Sequence, residues 1–538
     1  MGRILKLSGS IAVIELDTRL GEMIYLGEEK LLGEVLRVEG NTAIVQSFED
    51  LTGLRPNEPA VGTGRLLEFQ LGPGMLTRVF DGLQRSMEAQ GDDIFLKRGK
   101  GLGGIPDSKW KFEPSVKKGD MIQPGQAIGS VQEGPIDHKI LPHPGVKGEI
   151  EAIKKGTFGL KETVAIIGGI EVQLSHQWPV RKPRYLPKLP PTELFVTGQR
   201  VIDMLFPLTV GGSALVPGGF GTGKTQLLFQ LVRYAPIDIV IYVGCGERGN
   251  EIIQLMTELN ELEREGMKLS NRTILIANTS NMPVAARSAS IFAGITVAEY
   301  FRDQGKNALL VTDSLSRWAE AEREVASRMG IIPGEGGYPP YMATQLAEFF
   351  ERSGKCMTPQ GKGSVTLISS VSPTGGDITE PVTQAAMKTA GSILVLNNKL
   401  AYRRHYPAID WTKSFSNYRH EHEPERLELQ RILSEASELE KLAGIVGLDN
   451  LSDQQQVHLW FSELIKEAFL RQNAFHPIDK FCPHEDQVKI SRALLHSFKK
   501  ARDAMHIPHE LYEKMVNSKL SRGEQLDDLL EEIGYVET

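Results

Sequence analysis

Residues 218–225 read Gly218-Gly219-Phe220-Gly221-Thr222-Gly223-Lys224-Thr225 and match the pattern G-x-x-x-x-G-K-[ST] at every position. The apolar run 213–217 before the pattern is typical of a strand, and residues 225–233 after it have helical character. A strand, a glycine-rich loop and a helix in this order predict backbone N–H groups that surround a phosphate chain. The alternative is a glycine-rich turn that binds nothing, and the flanking pattern argues against it.

The polar side chains of this loop each have a chemical use. The Lys224 ammonium is expected to reach the β- and γ-phosphates of a nucleotide, and the Thr225 hydroxyl to be a ligand of Mg²⁺. The glycines allow a tight backbone curl, so that several N–H groups point at the same phosphates. The sequence therefore predicts a nucleotide site built from all eight residues between Gly218 and Thr225.

The composition is that of an ordinary globular protein with several domains. At 538 residues the chain is too long for one domain, and its 41% hydrophobic and 24% charged residues are usual values. A net charge of −7 gives no reason to expect a nucleic acid partner. The cysteines, Cys245, Cys356 and Cys482, form no C-x-x-C pair, which argues against zinc and disulfides and favours a reducing cytosol. No apolar run is long enough to cross a bilayer, so a membrane role is expected only through partners.

The first part of the chain changes pattern several times. Short, regularly spaced β runs predict a β-barrel over 1–67, followed by a connector over 68–109. Residues 110–177 form a second β-rich module, where Lys139 resembles the modified lysine of lipoyl and biotinyl carriers; a plain structural insert is the preferred interpretation. The five prolines of 178–191 predict a stiff, extended linker.

The segment over 192–420 alternates apolar runs with helical patterns. Continuous apolar strands between helices predict a parallel sheet covered on both faces, as in phosphate-loop (RecA-like) α/β domains. The helical pattern over 421–538 predicts a C-terminal helical domain, so the expected fold is multidomain. The candidate strands of the α/β domain are 213–217, 237–243, 273–277, 308–312, 364–368 and 392–396.

Charged residues follow two of these strands. Asp313 ends one of them, where a carboxylate can support Mg²⁺; a helix N-cap is the alternative. Glu247 and Arg248 follow the strand over 237–243, at the end of a sheet where ligands bind. A carboxylate there can orient water for attack on the γ-phosphorus, and Arg248 can meet the γ-phosphate or pair with an acid. Residues 244–249 also fit the dinucleotide pattern G-x-G-x-x-G, which is weak when it stands alone.

Segments distributed over the second half of the chain and the insert before it resemble the catalytic A (alpha) chain of prokaryotic V/A-type rotary ATPases. The insert at 110–177 resembles the bulge domain of that chain, which the F-type β chain and the flagellar and secretion ATPases lack. Together with the barrel, these segments extend the resemblance over essentially the whole chain. Besides the glycine-rich loop they are Gly198-Gln-Arg-Val-Ile-Asp203, Gly244-Cys-Gly-Glu-Arg-Gly-Asn-Glu251, Ala277-Asn-Thr-Ser-Asn-Met-Pro-Val-Ala-Ala-Arg287, Asp313-Ser-Leu-Ser-Arg-Trp-Ala-Glu320, Val371-Ser-Pro-Thr-Gly-Gly-Asp377, Glu380-Pro-Val-Thr-Gln384, Tyr402-Arg-Arg-His-Tyr-Pro-Ala-Ile-Asp-Trp411 and Gln472-Asn-Ala-Phe-His-Pro477.

The resemblance implies a role for each charged candidate. Lys224 and Thr225 bind the phosphates and Mg²⁺. Glu247 activates water, Arg248 contacts the γ-phosphate region, and Asp313 supports Mg²⁺ through a water molecule.

The resemblance also implies a pocket for the base. Tyr406 and Phe475 resemble the aromatic residues that sandwich adenine, for which core packing is the alternative. The loop has Gly219 and Thr222 where the family usually has proline and serine, and no required functional group is lost by these changes.

The activity implied is the hydrolysis or synthesis of ATP, with ATP or ADP and Mg²⁺ bound, coupled to proton or sodium transport. The chain is expected to alternate with a B-type subunit in a hexameric ring around a central shaft, with peripheral stalk subunits, on the cytoplasmic face of a membrane. One alternative is a ring subunit that binds nucleotide without hydrolysing it, against which the complete loop and Glu247 argue. The other is an RNA translocase of the Rho type, against which the lack of a basic, aromatic-rich N-terminal domain argues.

Overall fold

A computed structural model describes residues 2–87, 99, 101–264, 266–280 and 282–535. The chain forms two compact units, each assembled from segments that are separated in sequence. Unit 1 comprises Met1–Pro190, Ile237–Val371 and Thr379–Thr389. Unit 2 comprises Pro191–Pro236, Ser372–Ile378 and Ala390–Thr538.

The N-terminal part of unit 1 is a closed barrel in the order β1-β2-β5-β4-β3-β6, with antiparallel neighbours. Inward-pointing Ile4, Ile14, Ile24 and Val45 are completely buried in its core. Closure pairs every strand with two neighbours, which leaves no free sheet edge. The strands are β1 (Gly2–Ser8), β2 (Ile11–Glu15), β3 (Glu22–Leu26), β4 (Leu31–Glu39), β5 (Thr42–Ser47) and β6 (Pro59–Leu66).

Two short strands, β7 (Glu68–Leu71) and β8 (Val79–Phe80), lead to a second β module. The module consists of two four-stranded sheets, β10-β13-β15-β16 and β12-β11-β9-β14. Its core includes the completely buried Phe112 and Ile150, while Lys139 lies within β12 opposite Ser130. The strands are β9 (Lys109–Pro114), β10 (Met121–Ile122), β11 (Gly129–Glu133), β12 (Ile136–Ile140), β13 (Gly148–Ile153), β14 (Gly156–Gly159), β15 (Thr163–Ile167) and β16 (Ile170–Gln173).

Most of the proline-rich segment packs onto unit 1. β17 (His176–Pro179) pairs with β7, and β18 (Lys188–Leu189) pairs with residues 355–356. Between these strands Arg184 is 4% exposed and forms a 2.7 Å ion pair with Asp303. The prolines stiffen the backbone, and the side chains between them bind this segment to the rest of unit 1.

The remaining elements alternate strands with helices. The strands are β19 (Ser213–Pro217), β20 (Ile239–Cys245), β21 (Glu263–Arg264), β22 (Met267–Lys268), β23 (Thr273–Asn278), β24 (Asn307–Asp313), β25 (Gly354–Thr358), β26 (Gly361–Val371), β27 (Ser392–Ile393) and β28 (Phe415–Ser416). The helices are α1 (Lys224–Tyr234), α2 (Gly249–Glu261), α3 (Val284–Asp303), α4 (Leu315–Arg328), α5 (Met342–Glu351), α6 (Pro381–Met387), α7 (Asn398–Tyr402), α8 (Glu423–Val446), α9 (Asp453–Ile465), α10 (His484–Ala504), α11 (Leu511–Ser518) and α12 (Glu524–Glu532). Within the described ranges, no helix combines the length and apolar composition that crossing a bilayer requires.

The nucleotide-domain strands of unit 1 form a parallel sheet in the order β26-β24-β20-β23-β8. β20 is buried along its whole length, and β24 along all but its first residue. The long helix α3 packs against this sheet and is itself almost completely buried. Strands covered on both faces read as continuous apolar runs, which is why the sequence pattern identified them.

Unit 2 contains a smaller sheet and the helical domain. β27 pairs in parallel with β19 and antiparallel with β28. β27 ends at Ile393, earlier than the run 392–396 predicts, although the Leu394 and Leu396 N–H groups still bond to the β19 segment. In the helical domain α8, α9 and α10 pack together around Phe461 and Phe498, whose rings are 5.5 Å apart.

Candidate nucleotide-binding site

The glycine-rich loop lies in unit 2 between β19 and α1. β19 is completely buried, and α1 begins at Lys224. Gly221 and Gly223 have φ values of 79° and 81°, in the left-handed region that favours glycine. Gly223 is the N-cap of α1 and has no side chain that could satisfy the first N–H groups of the helix. The loop therefore offers an anion both free backbone donors and the positive end of a helix.

The side chains of the loop differ in exposure. Thr222 is 1% exposed, and its hydroxyl donates to the Gly219 carbonyl at 2.9 Å, so it supports the loop from inside. Phe220 is fully exposed at the tip of the loop, and Thr225 is exposed in the first turn of α1. The Thr225 hydroxyl is therefore accessible to a bound ligand.

The Lys224 ammonium lies over the start of the loop. It is 3.4 Å from the Gly218 carbonyl oxygen and donates to the Ser372 hydroxyl. Ser372 was not singled out from the sequence, although the segment 371–377 belonged to the family resemblance.

A cavity of about 920 Å³ opens beside the loop, entirely within unit 2. Gly221, Thr222 and Gly223 line one part of it, and Tyr406 and Phe475 line another. The Tyr406 ring lies so close to Gly223 that an added β-carbon there would be 3.2 Å from Cε1 of the ring. Tyr406 is 40% exposed and Phe475 82% exposed, so neither ring packs as an ordinary core residue.

Polar side chains that the sequence did not single out also line this cavity. Gln230 of α1 is 8% exposed, and its Oε1 atom has no hydrogen-bond partner among the described residues. Gln226 lies one turn earlier on the same helix face, and this i, i+4 spacing was the signal that could have identified both. Lys519 donates to the Glu467 carbonyl at 3.0 Å, and burial lowers the pKa of Lys519.

The other predicted site residues lie in unit 1. Glu247 and Arg248 come directly after β20, where the chain turns into α2. The half-buried Glu247 accepts a 3.1 Å hydrogen bond from Ser280 N–H at its carbonyl oxygen. The Arg248 N–H donates to the Glu251 carboxylate at 3.2 Å, which helps to begin α2. A hydrogen bond with the Glu247 side chain is the main cause that lowers the pKa of Glu251, so the two carboxyl groups are neighbours.

Asp313 ends β24, the strand beside β20. It pairs in register with Gly244 and is 5% exposed. Its carboxylate accepts hydrogen bonds from the Ser370 hydroxyl at 2.5 Å and the Tyr242 hydroxyl at 3.3 Å. The N-cap of α4 is Ser314, so Asp313 does not have the capping role that was the alternative.

Arg317 joins the Glu247 group in unit 1, and the sequence did not single it out. A β-carbon added to Gly246 would be 2.7 Å from the Arg317 β-carbon. A hydrogen bond to Glu320 raises the pKa of Arg317, and the charges of Glu247 and Glu251 raise it further. Its position in the family segment 313–320 was the signal available.

The predicted Mg²⁺ ligands fit that ion by their chemistry. The Thr225 hydroxyl and the Asp313 carboxylate are hard oxygen donors. In the described part of the chain no three His, Cys, Asp or Glu side chains are arranged to hold a metal ion. Mg²⁺ is usually held by one or two protein oxygens together with phosphates and water, so it needs no such protein cage.

Family models and curated relatives match the chain along its length. The models are the ATP synthase alpha/beta family β-barrel domain (residues 2–64), barrel-sandwich domain (106–181) and nucleotide-binding domain (198–416), and the C-terminal domain of V and A type ATP synthase (413–516). The catalytic-type A chain of the A-type ATP synthase of Nanoarchaeum equitans is 43% identical, over 100% of this chain and 98% of the relative. The V-type ATP synthase alpha chain of Acetivibrio thermocellus is 44% identical, over 97% of this chain and 94% of the relative.

The chain belongs to the family of A-type ATP synthase A (alpha) chains. The predicted family and fold class are therefore confirmed: an N-terminal barrel, a β-rich insert, a nucleotide-binding domain and a C-terminal helical domain. Among solved structures, the assembled ATPase EscN of the enteropathogenic E. coli type III secretion system matches 92% of this chain and 100% of its own, with a TM-score of 0.69. At 22% identity this likeness concerns the fold alone.

Proposed function

We propose that this member of the ATP synthase alpha-chain family holds the adenine ring of ATP or ADP between Tyr406 and Phe475, in the cavity of unit 2. The observation that carries the proposal is that these rings line the same cavity as Gly221, Thr222 and Gly223. Two accessible aromatic faces suit a flat base, and a glycine-rich helix start suits the phosphates attached to it.

The reaction is the hydrolysis of ATP to ADP and phosphate, or its reverse, as the family assignment establishes. Lys224 neutralises charge on the β- and γ-phosphates, and Arg248 meets the γ-phosphate region. Glu247 orients the attacking water and accepts its proton, with Glu251 as a hydrogen-bonded neighbour that shares the proton load. These roles rest on residue type, on position after β20 and β19, and on the family segments.

A bound Mg²⁺ supplies positive charge to the phosphates in this reaction. Thr225 provides a direct hydroxyl ligand, and Asp313 supports the ion through a water molecule. The Ser370 and Tyr242 hydroxyls hold the Asp313 carboxylate in one orientation, so that it can serve as this acceptor.

Gln230 contributes to the choice of base. Its buried Oε1 faces a cavity wall without a protein donor, and the 6-amino group of adenine is a donor that would satisfy it. Guanine carries an oxygen at the same position and would leave two acceptors facing each other. Gln230 therefore favours ATP over GTP.

A catalytic chain of an ATP synthase acts in an assembly with other ATPase subunits. We propose the specific arrangement of the family for this chain: alternation with a B-type subunit in a hexameric ring, around a central shaft and beside peripheral stalk subunits. The ring would lie on the cytoplasmic face of a membrane, with proton or sodium transport taking place in other subunits.

The base pocket is tested by truncating Tyr406 to alanine in the full chain and measuring Mg-ATP affinity by calorimetry. Loss of base stacking should weaken binding by about 1–3 kcal/mol. Tyr402 is the matched control, because it is 85% exposed, close in sequence and absent from the cavity lining. Equal affinity in the Tyr406→Ala and Tyr402→Ala variants would show that the base binds elsewhere.

A further inference from the structure

The ring of Phe475 owes its position to the backbone that carries it. The ring is 82% exposed, so packing with other side chains restrains it little. Its N–H donates to Asn473 Oδ1 at 3.0 Å, and the Asn473 N–H donates to Asp479 Oδ2 at 2.7 Å. The segment 471–476 is therefore held from Asp479, which is 2% exposed.

Asp479 is in turn paired with Arg200, whose side chain is completely buried. Arg200 Nη2 donates to Asp479 Oδ1 at 2.9 Å and to the Arg471 carbonyl at 2.9 Å. Its Nε donates to the Phe469 carbonyl at 2.7 Å, while Nη1 has no partner among the described residues. One planar guanidinium thus fixes the start of the segment and the carboxylate that holds its middle.

Gln472 connects the same network to the other aromatic residue. The Arg200 N–H donates to Gln472 Oε1 at 3.0 Å, and Gln472 Nε2 donates to the Gly198 carbonyl at 2.8 Å. The Gln472 N–H donates to the Tyr406 carbonyl at 2.7 Å. All of these residues belong to unit 2.

We propose that Arg200, through Asp479 and Gln472, is a positioning residue for the base side of the nucleotide cavity. It touches no nucleotide. It sets the distance between the Phe475 and Tyr406 rings, so that a base fits between them without first ordering the loop. This inference rests on the proposed function of the cavity.

The consequence is a split between two parts of the ligand. If Arg200 acts only on the base side, its loss weakens the binding of ATP but not that of a ligand made of phosphates alone. Inorganic tripolyphosphate with Mg²⁺ is such a ligand. A merely structural role would affect the two ligands together or affect neither.

The test uses the full chain and the substitution Arg200→Lys, which keeps the charge but cannot bond three acceptors in the same plane. The Kd of Mg-ATP should rise at least about fivefold, within the range of one lost base–aromatic stack. The Kd of Mg-tripolyphosphate should stay within about twofold of the parent value. Arg426→Lys is the matched control, since Arg426 is 7% exposed, also donates to backbone carbonyls in unit 2 and does not line the cavity.

A double-mutant cycle with Phe475→Ala decides whether the two residues act together. Phe475→Ala alone should raise the Kd of Mg-ATP about fivefold to 150-fold, and by less than about twofold in the Arg200→Lys background. Additive effects, an unchanged Kd in Arg200→Lys, equal weakening of both ligands, or the same loss in Arg426→Lys would each overturn the inference. If Phe475→Ala itself leaves ATP binding unchanged, the proposed base pocket is wrong, and the inference is overturned with it.

Asp479→Asn provides a second variant where Arg200→Lys does not fold. It keeps the size of the side chain but removes the charge partner of Arg200 and the acceptor for the Asn473 N–H. The same split between Mg-ATP and Mg-tripolyphosphate is expected, and equal weakening of both would overturn the inference.

Discussion

The Lys224 ammonium donates a hydrogen bond to the Ser372 hydroxyl and lies 3.4 Å from the Gly218 carbonyl oxygen. These neutral acceptors hold the charge at the start of the phosphate loop, where charged phosphate oxygens are stronger acceptors. Ser372 thus orients the ammonium for the phosphates.

Replacing Lys224 by alanine should abolish turnover in the assembled enzyme and weaken ATP binding, because the phosphates lose their main cation. ATPase assays and calorimetry with the Lys224→Ala variant measure the two effects. Lys399→Ala is the control, since Lys399 is exposed in the same unit. Near-normal ATPase activity of an assembled Lys224→Ala complex would contradict the role.

Glu247→Gln should lower kcat by about 10²–10⁴ while nucleotide binding persists, because the amide keeps the shape but cannot accept a proton from water. Single-turnover kinetics and nucleotide affinity separate these effects. Glu258→Gln on the same helix α2 serves as a control. A Glu247→Gln variant that loses binding but keeps its rate per occupied site would assign Glu247 to binding instead.

Gln230→Leu should reduce the preference for ATP over GTP by about threefold to tenfold, the worth of one neutral hydrogen bond. ATP affinity should fall and GTP affinity stay nearly constant in competition binding. Gln226→Leu, on the same helix face but exposed, is the comparison. An unchanged ratio of the two affinities would exclude Gln230 from base selection.

The isolated chain should bind ATP and hydrolyse it very slowly. Phosphoryl transfer gains about 10³–10⁵ in rate from an arginine supplied by a neighbouring subunit, and the family supplies one from its B-type partner. Adding that partner should raise the rate steeply, as steady-state assays of the chain with and without it would show. Full turnover by a demonstrably monomeric preparation would mean that the site is complete within one chain.

Burial lowers the pKa of His405 to about 4. An unfolded histidine has a pKa near 6.5, so between pH 6.5 and 4 the unfolded chain binds a proton that the native chain does not. The free energy of unfolding should therefore fall as the pH falls through this window, by up to about 1.4 kcal/mol per pH unit for this group.

His405→Gln should remove that contribution, so that its unfolding free energy depends less steeply on pH than that of the parent. Asp203, whose pKa burial raises to about 6, acts in the opposite sense but equally in both proteins. Chemical denaturation at several pH values measures the difference. Parallel curves for parent and variant would show that His405 titrates normally.

Much of the fold was predictable because it depends on residues that are neighbours in the sequence. The glycine pattern at 218–225 requires a strand before it and a helix after it, and β19 and α1 occur there. The six predicted domain boundaries and the roles of the site residues stay predictions.

The sequence alone determined the class of loop, the alternation of strands and helices, and the family. Tertiary structure alone decided that Tyr406 and Phe475 line one cavity with the loop, and that Gln230 and Ser372 take part in the site. It also decided that Arg200 lies beneath the base side, bonded to Asp479. The physical reason is that hydrogen bonds and cavity walls form between residues distant in sequence, where no local periodicity marks which side chains will meet.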